Sequence, residues 1–145
     1  MRAIDRVAAL NMALVMAHQA DAAYWKEWEM FHLPGGIQFF NLFNLAAFAV
    51  LLWCFAALVT RSRTAVRASF VIAALSGVVL PIHATFALAG FTQFHLPISV
   101  AIIVGTFVAS VWQVVLTRQA DAGLTGGPYQ FVQADTASRR GLTQA

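Results

Sequence analysis

The sequence predicts an all-α fold, a four-transmembrane-helix bundle with N and C termini cytoplasmic, and three observations predict it. Hydrophobic residues fill 60% of 145 positions and charged residues only 10%, against roughly 25% charged in soluble chains. The apolar residues gather in runs long enough to cross a bilayer, and the basic residues fall on one side of those runs. Nine Lys and Arg with six Asp and Glu are too few to coat a water-facing surface. A cytosolic globular enzyme, a disordered regulator and a nucleic-acid binder are thereby excluded. The pI near 9.8 does not reverse this, because the positive charge is scattered and forms no stripe. The single cysteine, Cys54, excludes an intramolecular disulfide and a cysteine metal cluster.

The first helix is read over residues 4–25. Val7 to Ala17 is apolar, and the run continues through His18, Asp21, Tyr24 and Trp25, so its outer third is polar. Tyr24, Trp25 and Trp28 mark an interfacial aromatic belt. The next helices, 37–59, 68–90 and 98–116, are each long enough, at ~1.5 Å per residue, to cross ~30 Å of hydrocarbon. None of them holds a charged side chain, and His83 lies within the third helix. Pro81 is expected to kink that helix and free a carbonyl one turn below His83. Gly77, Gly90 and Gly105 are expected to allow close packing.

Arg2, Arg6, Arg61, Arg63, Arg67, Arg118, Arg139 and Arg140 then share one side, with Lys26 alone on the other. The positive-inside rule makes the arginine side cytoplasmic, as in a bacterial inner membrane protein. A cleaved signal peptide over residues 1–22, ending Ala20-Asp21-Ala22, is the rival reading. Asp5 in its basic region and Asn11 in its apolar core argue against it. The helical domain covers residues 1–118. Residues 119–145, with Gly126-Gly127-Pro128, read as a flexible cytoplasmic tail.

Phe31-His32-Leu33-Pro34 and Phe94-His95-Leu96-Pro97 link the two pairs of helices. The match raises the reading of two tandem helical hairpins, against convergent hairpin chemistry. Proline suits the first turn of a following helix.

Helical spacing collects the polar residues into stripes. Asn11, His18, Asp21 and Trp25 share a face of the first helix. Gln38, Asn41 and Asn44 recur every three residues on the second, and Ser69, Ser76 and His83 every seven on the third. Ser99, Thr106, Ser110 and Gln113 form the fourth stripe. Lipid cannot hydrogen-bond such groups, so the stripes are expected to face inward. The serines, threonines and Gln113 read as interhelical glue. His18, Asp21 and His83 read as candidate catalytic residues, because ionisable groups in a span are costly and a carboxylate one turn from an imidazole fixes its tautomer. Gln38, Asn41 and Asn44 are candidate ligand-binding residues, and His18 and His83 candidate metal ligands. Glu27 and Glu29 read as a solvated interface. His32 and His95 read as hairpin caps or rim ligands.

The first third resembles uncharacterised bacterial families of small four-helix membrane proteins, in which the first helix ends His-x-x-Asp-Ala and Glu-Trp soon follows. The matching residues are His18, Asp21, Ala22, Glu27 and Trp28, with His83 on the third helix. The resemblance implies the four-helix fold and marks those residues; it implies no reaction.

Three functions fit these features. One is an outward-facing site in the bundle core for a small lipid-like or quinone-like ligand, or for a haem or transition metal held by His18 and His83. Another is a membrane-embedded enzyme performing isomerisation, cyclisation or hydrolysis on an apolar substrate, with His18 and Asp21 as base. The last is an accessory subunit of a larger membrane complex, or a homo-oligomer, packed through Phe39, Phe40, Phe43, Phe48 and Trp53. Membrane lipid is the expected surrounding in each case, and nucleic acid in none.

Overall fold

A computed structural model describes residues 2–126, which are helical apart from their connections. The described residues form α1 (Ala3–Tyr24), α2 (Glu27–Met30), α3 (Gly36–Val59), α4 (Ala65–Gly77), α5 (Val79–Leu88) and α6 (Pro97–Gly126). Three segments among them are long and apolar enough to cross a membrane: Gly36–Val59, Ala65–Leu88 and Pro97–Asp121. α1 has 22 residues, but Asp5, Arg6, Asn11, His18, Gln19 and Asp21 dilute its apolar content. It packs nonetheless on α6, α4 and α3.

Side-chain partners fix an up-down-up-down order. Asn11 Nδ2 donates to Ser110 Oγ (3.2 Å) and Gln113 Oε1 (3.0 Å), while Asp21 accepts from Ser99, so α1 and α6 run antiparallel. Gln113 Nε2 donates to the carbonyl and hydroxyl of Ser69 (3.0 and 3.1 Å), and Ser69 pairs with Thr117 (2.7 Å). At the arginine end Arg61 reaches from the α3–α4 turn to hold both oxygens of buried Asp5 at 2.7 Å. The Asp5 carboxylate also accepts the Arg2 backbone N–H at 2.8 Å, closing the first turn of α1.

Three of the four polar stripes face inward. Asn11 and His18 are buried with Asp21 and Trp25 half-buried; Ser69, Ser76 and His83 are buried, as are Ser99, Thr106, Ser110 and Gln113. The α3 stripe divides: Asn44 is buried, but Gln38 and Asn41 are exposed. A spacing of three falls about 60° short of a full turn at each step, so such a row winds off the contact face.

The Ala65–Leu88 segment is interrupted at Val78, between α4 and α5. Pro81 lacks the N–H that would reach the carbonyl of Gly77, four residues back. Gly77 also allows a close approach of α4 and α6, since a Cβ there would lie 3.3 Å from Ser110 Cβ. Gly105 meets Leu14 at ordinary contact distance. Gly90 does otherwise than expected: nothing lies within 4 Å of its Cβ position, and its φ of 91° ends the span in a turn only glycine adopts freely. α6 outlasts its expected end at residue 116, because Gln119-Ala120-Asp121-Ala122 carries no breaker and Gly126-Gly127-Pro128 follows. Residues 119–126 of the expected tail are therefore helical, and 127–145 lie outside the described residues.

The two Phe-His-Leu-Pro links fold differently. His32 takes positive φ in the first and Phe94 in the second. Pro97 opens α6 as expected, whereas Pro34 precedes Gly35 and the start of α3 at Gly36.

Candidate metal centre

The end of the bundle opposite Arg61 is built from two sharp turns. α1 stops at Tyr24, and Lys26 turns the chain in the left-handed region at φ 53°. α2 is thereby folded back, so that Glu27 and Met30 point inward while Lys26 and Glu29 stay exposed and pair at 3.6 Å. The second turn holds Phe94 at φ 63° and buries it. Positive φ at a bulky residue is costly and is retained where surrounding packing over-determines it. The Phe94 ring lies 4.2 Å from the His83 ring and 5.7 Å from that of His18, centroid to centroid, and covers the pair.

Beneath it His18, Glu27 and His83 converge. All three are buried, and one ligand atom from each lies within 4.8 Å of the others. His18 Nε2 and His83 Nε2 are 3.2 Å apart, and Glu27 Oε1 is 3.4 Å from His83 Nε2. His83 Nε2 can offer one proton or one lone pair, yet it faces two partners. A cation shared by the three atoms satisfies all of them. Neighbouring ligands at ~2.0–2.1 Å from a tetrahedral metal stand about 3.3 Å apart, close to both observed separations. Nitrogens on opposite faces of a haem iron would stand about 4 Å apart with the porphyrin between them, so the pair suits adjacent vertices of one ion and not a bis-histidine haem.

Glu27 corrects the expectation of a solvated loop carboxylate. At 6% exposure it is buried, because the Lys26 turn folds α2 inward. Burial, and then the nearby Asp21 charge, pushes its carboxyl up to about 7. The Glu-Trp pattern of the resemblance includes this residue, whereas its place in a charged connection gives no sign of burial.

Asp21 is half-buried and is not bonded to His18. Its Oδ1 accepts from Ser99 Oγ at 3.0 Å, and Ser99 in turn accepts from Trp25 Nε1 at 3.3 Å. Asp21 Oδ2 and His18 Nδ1 are buried without a hydrogen-bond partner. Exposed Gln38 and Asn41 stand apart from this cluster, and Asn44 Oδ1 is buried and unpartnered. His32 and His95 are exposed; His95 Nδ1 donates to the Thr92 carbonyl at 2.8 Å and its ring packs on Trp25, so it caps a turn.

Beside the cluster a cavity of about 410 Å³ opens, with His18, Glu27 and His83 at one end and Phe43, Leu51 and Leu75 along its walls. That volume lies within the ~300–1,000 Å³ of small-molecule sites.

Apolar spanning helices around a buried His/Glu/His cluster define the class: a helical membrane protein. The chain belongs to the family of unknown function DUF6713, whose model matches residues 4–120. No curated protein and no solved structure matches it.

Proposed function

We propose that this is a four-span protein of the bacterial inner membrane whose His18, Glu27 and His83 hold one divalent transition-metal ion. α1 serves as the fourth span, sheltered by the three apolar ones, with both termini and the arginine end cytoplasmic. The convergence of two imidazole nitrogens and a carboxylate oxygen at ligand–ligand spacing supports this reading. Two histidines and a carboxylate with open positions are the ligand set of catalytic zinc and of non-haem iron. The chain contributes the three ligand atoms, the Phe94 cover and an apolar cavity beside the open positions. The ion would supply Lewis-acid or redox chemistry there.

The test is elemental analysis of tag-free protein in mild detergent. Near-stoichiometric zinc, iron or copper, lost in His18→Ala, His83→Ala and Glu27→Gln, is the expected result. A protein that is metal-free as purified and takes up none of the three when reconstituted overturns the reading.

A second reading, metal-free acid–base catalysis, draws on the Glu27–His83 contact, since a carboxyl pushed to about 7 is poised to exchange protons at neutral pH. It predicts turnover by metal-free protein, abolished by Glu27→Gln.

A further inference from the structure

The cavity beside the cluster has a polar head and a long apolar body. α3 packs on α1, α2 and α4 but stands away from α5, and the gap between α3 and α5 is the cavity. Its α3 wall runs from Phe39 to Leu51, about 18 Å at ~1.5 Å per residue. Phe39, Phe43, Leu75 and Ile82 line the cavity and are also exposed on the flank of the bundle. The opening therefore lies on the side of the spanning helices, at the depth of lipid tails, rather than at the water-facing end alone.

The head end carries two further signs. Gln19 Oε1 is buried in the wall with no hydrogen-bond partner, an acceptor awaiting a donor. A divalent ion there would meet two carboxylates, Glu27 as ligand and Asp21 nearby, which leaves no net charge for a ligand head to balance. Burying an uncompensated charge is costly, so the fitting head is uncharged and bears a hydroxyl.

Resting on the metal reading for its charge count, we infer that the α3–α5 cleft binds a single-chain lipid alcohol. It enters sideways from the bilayer, with its hydroxyl at Gln19 and the His18–Glu27–His83 cluster and its chain between α3 and α5. The lipid is the substrate or ligand of the site.

Photolabelling of the full chain in lipid nanodiscs tests this, using a hexadecanol analogue with a mid-chain diazirine. Label should concentrate on Ala47, Leu51 and Leu75, and unlabelled hexadecanol should compete it at lower concentration than hexadecanoic acid. Leu75→Trp and Ala47→Trp each fill the cleft and should cut that labelling at least about tenfold, equivalent to ~1.4 kcal/mol of affinity. Labelling of lipid-facing Trp53 should stay unchanged, and thermal melting confirms that either variant is folded. Uniform labelling of all lipid-facing helices, or labelling insensitive to both tryptophans, overturns the inference. Preference for the acid overturns the assignment of an alcohol, and the charge count with it. Elemental analysis of the same sample separates the two readings: metal without cleft labelling removes the lipid and keeps the ion, and labelling without metal does the reverse.

Discussion

His18 and His83 are 65 residues apart in the chain, and their Nε2 atoms are 3.2 Å apart in the fold. α1 and α5 supply one ring each, so an ion held between them ties two helices together. A ligand that binds only the folded state stabilises it by about 2.7 kcal/mol at a hundred times its Kd. Stripped protein given zinc in that excess should melt at higher temperature, and His83→Ala should show no shift. Equal shifts in both would mean the ion binds elsewhere.

Glu27 makes stability depend on pH. Its carboxyl moves from an ordinary 4.5 to about 7 on folding, through burial and then the Asp21 charge. The folded chain thus holds a proton that the unfolded chain releases. The stabilisation is full below about 4.5 and is lost as pH rises through about 7. Metal-free protein should lose stability across that window, and Glu27→Gln should remove this share of the slope. His18, His83 and Asp21 face the same cluster, so the comparison of the two slopes is the measurement.

Asp5 is enclosed at the opposite end and answered by both Arg61 nitrogens. Arg61→Ala strands a buried carboxylate and should cost about 1.5–3 kcal/mol, the range for hydrogen bonds to charged groups. Asp5→Asn keeps an acceptor for the guanidinium and should cost less. Denaturant titration in detergent ranks the two, and the reverse order would show that Asp5 acts chiefly through the Arg2 backbone N–H and not through Arg61.

Asn11 joins α1 to α6 through Gln113, which reaches on to Ser69 of α4. A double-mutant cycle on Asn11 and Gln113 should give a coupling of about 0.6–2 kcal/mol, as for polar pairs between membrane helices. Coupling near zero would mean the α4 contacts alone hold Gln113.

The helices themselves were legible. Span length and apolar content gave α3, the joined α4 and α5, and α6, and proline chemistry gave the break near Val78. The inward stripes of α1, α4 and α6 followed from spacings near seven, which stay on one helical face. The α3 stripe failed because a spacing of three drifts, and Gln38 and Asn41 swing outward.

His18 and His83 stood out in sequence because an ionisable group inside an apolar span is expensive. Their meeting did not, since helical phase fixes a face and not a neighbour. Glu27 was hidden by one backbone torsion: with Lys26 left-handed, α2 doubles back and a loop carboxylate becomes the third member of a buried cluster. Asp5 was hidden likewise, its partner lying 56 residues away in a turn. Composition and periodicity act locally along the chain, so they determined spans, faces and the arginine-rich end. Which side chains converge depends on turns of one or two residues and on which helices stand apart. Tertiary packing alone decided that His18, Glu27 and His83 close on one point and that α3 leaves a cleft beside them.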